Sequence, residues 1–461
     1  MAKIHLKHYH QRMPKNLTTG NVFQTLIRFA SLYLVSYFLQ TLYGMADLFI
    51  VGQYNGADVI SAVAIGSQIM HMLTVIIVGL AMGTTVLASR ATGAGDNKSA
   101  AKVIGNSAVM FLIFSVIATI LLIAACPLII SAMSVPKESI EQTSYYLLVC
   151  FAGIPFITAY NIFASVYRGL GDSKSPMIFV AIACTLNIIL DFIFIGIFGM
   201  KAQGAALATV LAQIFSVLVA SWAWKRSAGS AGGLKLTKSD FRPDKSVLAG
   251  LLKIGFPVAC QDGFIQISFL IITIIANRRG VDVAAAVGIV EKIICFLFLV
   301  PSSMLSAISA VAAQNMGAGE HGRARQTLFY GTMVGVTSGL IFGLLFQFIS
   351  APALSLFTRE EAVIILGTQY LKSYVFDCTF AAIHFAFSGF FCAYGFSIVS
   401  FIHNTISILA MRIPGAWLAS KYFPDTLYPM GLAAPLGSLL SALICLGFYI
   451  VLRKKGKLGG K

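Results

Sequence analysis

Twelve long apolar segments, each able to cross a lipid bilayer as a helix of about 20 residues, fill most of this 461-residue sequence. They lie near residues 25–51, 58–88, 102–133, 142–168, 176–198, 203–224, 248–277, 283–313, 326–349, 362–391, 398–420 and 430–452. Apolar residues make up 58% of the chain and charged residues only 11%, which excludes a soluble domain, a disordered chain and a coiled coil. No segment alternates with a period of two, as a barrel strand would. The sequence therefore predicts an all-α membrane protein of twelve transmembrane helices.

The distribution of positive charge predicts the orientation of these helices. Because twelve is an even number, both termini lie on one side of the membrane. That side carries 24 of the 33 Lys and Arg residues, the opposite side carries 7, and Lys292 and Arg412 fall within segments. The positive-inside rule then places both termini in the cytoplasm. The same count explains the net charge of +16 without any nucleic-acid partner.

The two halves of the chain repeat each other. The sequence GAGD at 93–96 corresponds to GAGE at 317–320, an offset of 224 residues, and Gly171 corresponds to Gly395 at the same offset. Near the end of each copy the offset is 227, where Gly204 corresponds to Gly431. Two parallel six-helix bundles are a transporter architecture with a substrate cavity between them. The predicted parts are an N-terminal tail (1–24), a first lobe (25–224), a basic linker (225–247), a second lobe (248–452) and a C-terminal tail (453–461).

Several patterns that resemble catalytic or metal sites have simpler explanations. All eight cysteines lie in apolar runs without a CxxC pair, so no disulfide or zinc framework is predicted. His5, His8 and His10 are interpreted as part of a solvated tail. No HExxH, GxSxG or Walker A sequence occurs. We therefore expect neither an enzyme nor a cofactor, and an ion gradient must supply the energy for transport.

The sequence GLGD at 169–172 matches the GxGD pattern of intramembrane aspartyl proteases. The same pattern occurs at 93–96, also between two helices. Glycine tolerates positive φ and Asp is a good cap for a following helix. A turn therefore explains both occurrences better than a protease does.

Polar side chains within the first half mark a candidate functional site. Asp47 and Asp191 are ionisable residues inside predicted spans, where such residues are costly and indicate function. Asn187 lies one helical turn before Asp191, on the same face. Counting from the segment ends puts these residues at a depth similar to that of Tyr146 and Thr209, and Asn161 lies deeper.

Two carboxyl groups in an apolar environment suit two functions. They can take up a proton, because burial and a second carboxyl nearby both favour the protonated form. They can also bind Na⁺ together with hydroxyl, amide and backbone oxygens. A third interpretation is that they only join helices through hydrogen bonds. The repeat disfavours it, because the second half has Ile272, Met411 and Gly415 at the positions corresponding to Asp47, Asn187 and Asp191.

The second half has a different polar set, for which structural ion pairs and a coupling or substrate role are equally open. Glu291 and Lys292 are adjacent and cannot face each other on a helix. We expect Lys292 to pair across helices with Asp262 or Asp377. The set consists of Gln261, Asp262, Glu291, Lys292, Asp377, His384 and Arg412.

Over residues 15–455 the chain resembles the multidrug and toxic compound extrusion (MATE) family, in the bacterial and archaeal branch similar to the DNA-damage-inducible type. The matching stretches are YGMAD at 43–47, VG at 51–52, GAG at 93–95, YRGLGDSKSP at 167–176, the Asn187 and Asp191 pair, and QNMGAG at 314–319. The resemblance implies a V-shaped antiporter with a central cleft that exports amphipathic, often cationic compounds in exchange for H⁺ or Na⁺. Leu32 stands where many members of this branch have Pro, so a proline kink in the first helix is not expected.

The resemblance also implies roles for individual residues. Asp47, Asn187, Asp191 and Thr209, with the backbone carbonyl of Ala205, match the cation site of the first lobe, which is a candidate Na⁺ site. Tyr146 and Asn161 match its polar neighbours. In the second lobe Asp377 falls near an acidic cation ligand of some members, and Asp262 lies about a turn from another.

The predicted function is secondary-active export of organic cations in exchange for an ion, across the plasma (cytoplasmic) membrane, by a monomer in contact with the lipid bilayer. The alternative is a flippase for a lipid-linked precursor, from the same wider superfamily. Such flippases line their cavity with several Arg or Lys residues, whereas only Lys292 and Arg412 lie within spans here.

Overall fold

A computed structural model describes residues 16–228 and 234–459, and every regular element in these ranges is helical. Helices occupy all twelve predicted segments, which confirms the all-α architecture. His5, His8 and His10 lie outside the described residues. The helices before the linker are α1 (Val22–Tyr54), α2 (Ala57–Gly93), α3 (Asn97–Ala132), α4 (Ile140–Ala152), α5 (Ile154–Gly169), α6 (Lys174–Asp191) and α7 (Ala202–Ala228).

The second half repeats this order of helices. Its elements are α8 (Lys245–Asn277), α9 (Val281–Leu297), α10 (Leu299–Gly317), α11 (His321–Ser355), α12 (Glu361–Tyr374), α13 (Asp377–Ala393), α14 (Ser397–Ser407), α15 (Ile413–Tyr422) and α16 (Tyr428–Lys454). Ten helical segments in the described ranges are long and apolar enough to cross a membrane, and the α4–α5 pair, bent by 49°, makes an eleventh. The remaining predicted segment, α14 with α15, contains His403, Asn404 and Arg412, which lower its apolar content.

Two segments deviate from α-helical geometry, one in the fifth span of each half but at different positions along it. Phe192–Ile197, directly after α6, and Ile408–Arg412, between α14 and α15, are both π-helical. Such π segments are rare and occur frequently at functional sites. One begins next to Asp191 and the other ends at Arg412, so each adjoins a buried charged residue.

The chain folds into two compact units. The first contains Val35–Leu252, and the second combines Thr18–Leu34 with Lys253–Lys461. Helix α1 has no internal proline and runs without interruption through Leu32. Its residues up to Leu34 belong to the second unit, and the rest of the helix belongs to the first. At that start, the ring of Phe23 packs edge-on against Tyr330 of α11, with ring centroids 5.5 Å apart.

The end of the linker is fixed to the first unit. The side-chain amide of Asn106 in α3 donates to the carbonyls of Asp240 and Arg242, and its oxygen accepts from the backbone N–H of Asp244 at 2.7 Å. Lys102, one turn earlier in α3, forms an ion pair of 2.6 Å with Asp244. These contacts hold the chain just before α8 begins.

Small residues allow close helix packing in the second unit. Gly331, Gly335, Gly339 and Gly343 recur every fourth residue and form one buried face of α11. A Cβ at Gly335 would lie 2.8 Å from Cβ of Ala382, and one at Gly339 would lie 2.6 Å from Cα of Thr379, both in α13. Within a membrane, where burial of apolar surface gives little driving force, such close backbone approach is a main source of helix association.

The two GxGD sequences form turns, as predicted. Gly95 and Gly171 adopt positive φ of 69° and 85°. The carboxylate of Asp96 accepts from the backbone N–H of Ser99 at 2.9 Å, and that of Asp172 accepts from Lys174 N–H at 2.9 Å. Both aspartates are therefore occupied in capping a following helix.

Candidate functional site

The first unit brings together four of the polar side chains that the sequence singled out. Asp47 comes from α1, Asn187 and Asp191 from α6, and Thr209 from α7. Asp47, Asn187 and Asp191 are 4%, 1% and 0% exposed. Three helices far apart in sequence therefore contribute to one buried polar cluster.

Long hydrogen bonds connect these side chains. The amide nitrogen of Asn187 donates to the hydroxyl of Thr209 at 3.5 Å, and that hydroxyl donates to Oδ2 of Asp47 at 3.4 Å. Both distances lie beyond the 2.7–3.2 Å typical of strong hydrogen bonds. The hydroxyl orients Asp47 and Asn187 without holding either tightly.

When both acids are ionised, four oxygen atoms of this cluster accept no hydrogen bond from the described residues. They are Oδ1 of Asp47, Oδ1 of Asn187 and both carboxylate oxygens of Asp191. The two carboxyl groups lie close enough to interact electrostatically. Among the described residues, no Lys, Arg or His forms an ion pair with either one. Because buried carboxylates without a counter-charge are costly, this arrangement suits a bound proton or a small cation.

A small cavity adjoins Asn187 and Thr209 of this cluster, and neither Asp47 nor Asp191 lines it. Its volume is about 10 Å³, which is close to the space that one water molecule requires. A single small ion therefore fits, and an organic molecule does not. No group of three or more His, Cys, Asp or Glu in the described ranges could hold a metal ion. A Na⁺ site here would therefore combine the two carboxylates with hydroxyl, amide and backbone oxygens. The cavity is lined by Tyr43, Ala183, Asn187, Thr209, Ala212 and Gln213.

Tyr146 also belongs to this cluster, while Asn161 and Ala205 have less direct positions. Tyr146 is buried and interacts electrostatically with Asp47, and Gly66 of α2 leaves room for its ring. Asn161 donates its amide to the carbonyl of Ile157 in its own helix at 2.8 Å. Ala205 is fully buried one turn before Thr209 in α7.

Sequence reasoning missed two residues of this site. Tyr43 and Gln213 both line the cavity. Oε1 of Gln213, like Oδ1 of Asn187, is buried and accepts no hydrogen bond from the described residues. Tyr43 lies four residues before Asp47, and Gln213 four residues after Thr209. Helical periodicity from the predicted residues would have identified both.

In the second unit the corresponding polar cluster is built around a cation. The guanidinium of Arg412, 8% exposed, donates to the hydroxyl of Tyr374 at 2.8 Å and lies 3.7 Å from Oδ2 of Asp377. It also lies over the ring of Phe269, 4.8 Å from the centroid. Glu291 interacts electrostatically with the same guanidinium.

The predicted pairing of Lys292 with Asp262 or Asp377 is wrong. Asp377 pairs with Arg412 instead, and in the described part of the chain neither Lys292 nor Asp262 forms an ion pair. Lys292 follows Glu291 directly, so it points about 100° away around the helix and is exposed. Arg412 reaches Asp377 because it lies on the π segment.

The other predicted residues of the second unit lie apart from this ion pair. Gln261 is buried, and its Oε1 accepts no hydrogen bond from the described residues. Asp262 is half-buried. His384 packs edge-on against His403, with ring centroids 5.4 Å apart. Both nitrogens of His403 lie within hydrogen-bond distance of serine hydroxyls, those of Ser388 and Ser441.

The comparison with known families agrees with this duplicated arrangement. The family model described as MatE matches residues 33–193 and again residues 257–418. The chain belongs to the MatE family. The two matches to MatE begin 224 residues apart, which is the repeat offset found in the sequence and confirms the duplication. The branch within the MatE family stays a prediction.

Curated relatives of this MatE protein match it over most of their length. The probable multidrug resistance protein YpnP of Bacillus subtilis is 27% identical over 88% of this chain and 91% of its own. The probable multidrug resistance protein NorM of Thermotoga maritima is 28% identical over 84% and 83%. The multidrug export protein MepA of Staphylococcus aureus is 25% identical over 81% and 82%.

Solved structures show the same fold for this MatE chain. A transporter of the MOP superfamily from Pyrococcus furiosus has a TM-score of 0.90 at 22% identity, covering 98% of this chain and all of its own. A MATE family transporter in its outward-facing conformation has a TM-score of 0.89 at 21% identity, covering 97% and 99%. The protein is therefore a multi-pass membrane protein with the transporter fold of its family.

Proposed function

We propose that this protein is a secondary-active antiporter that exports amphipathic, cationic organic compounds in exchange for H⁺ or Na⁺ bound at Asp47 and Asp191. One observation carries the proposal, namely two facing buried carboxyl groups with no fixed counter-charge. Two unit charges about 4 Å apart repel each other by about 4 kcal/mol at an effective dielectric constant of 20. A proton or Na⁺ removes that repulsion, and the four oxygen atoms without hydrogen bonds supply its ligands.

The coupling between ion and substrate follows from charge. A cation in the first-unit cluster and a cationic substrate are both attracted by the same two carboxylates, so binding of one weakens binding of the other. Exchange requires that the ion binds two states of the first unit with different affinity. The relatives named as multidrug resistance and export proteins support a drug-like substrate for this chain as well.

The proposal also covers the orientation of the protein in the membrane, its oligomeric state and its cofactors. The bias of Lys and Arg supports cytoplasmic termini in the plasma membrane. We propose that the antiporter acts as a monomer, binds no nucleic acid and needs no cofactor besides the coupling ion. The flippase alternative remains less favoured, because Arg412 is engaged by Tyr374 and Asp377 and is not free to hold a pyrophosphate.

Transport into proteoliposomes tests the proposal. Ethidium movement would be followed under a pH gradient and, separately, under a Na⁺ gradient. We expect movement under one of them, lost in Asp191→Asn. The matched control is Asp96→Asn, which also removes one carboxylate but keeps a capping residue at the exposed start of α3, and it should transport like the wild type. Equal transport by Asp191→Asn, or no ethidium movement under either gradient, would contradict the proposal.

A further inference from the structure

We propose that Arg412 is a built-in cation that takes, in the second unit, the place that the exchangeable ion takes in the first, so that only the first unit binds the coupling ion. This inference rests on the function proposed for Asp47 and Asp191. It makes Arg412 the residue that sets how many cations the protein binds.

The repeat places Arg412 at a sequence position that corresponds to the first-unit site. The offset between the copies is 224 at Gly171 and 227 at Gly204. The residue corresponding to Arg412 therefore lies between positions 185 and 188, which includes Asn187 and its neighbour Ile188, while Asn187 itself corresponds to Met411 at the offset of 224. A second pair supports this, because Tyr370 corresponds to Tyr146 at an offset of 224. Tyr146 interacts with Asp47, and Tyr370 interacts with Arg412 and Glu291.

The charges in the two clusters differ in the way this inference requires. In the second unit two acids, Glu291 and Asp377, lie near two bases, Arg412 and Lys292, and both bases interact with Glu291. The fixed charges of these four side chains balance, and Asp262, which is half-buried in α8, lies apart from them. In the first unit two acids have no fixed base, so a charge of −2 remains to be compensated by mobile ions.

The contacts of Arg412 make its charge a permanent part of the protein. A guanidinium does not lose its proton in proteins, so it cannot be exchanged as a bound ion can. The hydroxyl of Tyr374 and the ring of Phe269 hold it from two further helices. The ion pair with Asp377, at 3.7 Å, is not a close hydrogen bond. Removing the guanidinium would thus leave this cluster with one uncompensated negative charge.

The test is to count cations on the purified full-length protein. Radioactive Na⁺ bound per chain would be measured at alkaline pH, and protons bound per chain would be measured by potentiometric titration without Na⁺, so that a site for either ion is detected. We expect Arg412→Met to bind one more Na⁺ or H⁺ per chain than the wild type does. Arg412→Lys keeps the charge and should bind as many as the wild type. The double variant Arg412→Met with Asp377→Asn should lose the additional ion.

The outcomes separate this inference from the proposed function. Wild-type binding that is lost in Asp191→Asn, together with no additional ion in a folded Arg412→Met, would overturn the inference alone. Wild-type binding unaffected by Asp191→Asn would overturn the proposed function. If Arg412→Met does not fold, Arg412→Gln retains an N–H donor for Tyr374. If neither folds, Asn187→Arg is decisive, because it should bind fewer cations than the wild type, and unchanged binding would overturn the inference.

Discussion

The two units contain two solutions to one problem, which is how to keep acidic side chains inside a helical bundle. In the first unit Asp47 and Asp191 interact without any fixed base, and four oxygen atoms accept no hydrogen bond from the described residues. In the second unit Arg412 is held by Tyr374 and lies beside Asp377. The difference shows that a duplicated fold does not duplicate its chemistry. Only the first arrangement leaves a charge for a mobile ion to compensate.

The strongest change would give the first unit the fixed cation of the second. We expect Asn187→Arg to abolish ion-driven ethidium export, because its guanidinium would be a permanent cation beside Asp47 and Asp191 in place of an exchangeable one. Asn187→Met, which loses the amide without adding charge, should reduce export less. Proteoliposome transport measures both, with size-exclusion chromatography as the test of folding. Export by a folded Asn187→Arg variant would show that the carboxyl pair need not be free.

The same chemical change in the two units should alter stability in opposite directions. Asp377→Asn leaves the buried guanidinium of Arg412 without its nearest carboxylate and should destabilise the protein by about 1–3 kcal/mol. Asp191→Asn removes a like-charge contact and should raise the melting temperature or leave it unchanged. Thermal unfolding in detergent, without added Na⁺, measures both variants. A larger loss of stability in Asp191→Asn than in Asp377→Asn would contradict the comparison.

A milder change tests how far the hydroxyl of Thr209 supports the first-unit cluster. Thr209→Val keeps the shape and removes the group that bridges Asn187 and Asp47. Because both hydrogen bonds are long, we expect a loss of about 1 kcal/mol in cation binding, or about five-fold in affinity. Thr185→Val is the control, since Thr185 bonds only to Ala181 within α6 among the described contacts. Binding of radioactive Na⁺ distinguishes the two, and equal affinities would exclude a role for Thr209.

The smallest expected effect concerns the repeated turns. Asp96 caps α3 through Ser99, whereas Glu320, its counterpart before α11, forms no side-chain cap. Asp96→Ala should lower the melting temperature slightly and Glu320→Ala should not. The hydrogen bonds from Ser99 hold the pKa of the Asp96 carboxyl below its usual value. Its contribution is therefore present above about pH 3.9 and lost as the pH falls further, which a pH series of melting curves would show.

The sequence predicted the fold because its signals are local and repeated. Apolar length located the helices, and the 224-residue offset identified the duplication. The first-unit residues Asp47, Asn187 and Asp191 stood out because they are polar side chains within spans, and the repeat disfavoured a purely structural role for them. Tyr43 and Gln213 were missed although they lie one turn from predicted residues, because an aromatic ring or an amide inside a span is less conspicuous than a charge.

The partner of Arg412 could not be predicted, because it depends on local helix geometry. The π segment Ile408–Arg412 changes the direction in which the side chain leaves the helix. No composition rule distinguishes such a segment from an ordinary turn. Lys292 was predicted to pair with Asp262 or Asp377, and no partner was predicted for Arg412. The contacts across helices in the second unit could therefore be identified only from the structure.

The division of α1 between the units has a consequence for biosynthesis. Arg323 of α11 donates to the carbonyl of Gly20, which precedes α1, across 303 residues of chain. At about 5–20 residues per second, a ribosome needs about 15–60 s to synthesise that interval. During this time the first helix is already made, but its docking surface is not. The earliest part of the protein to emerge is therefore among the last to reach its final packing.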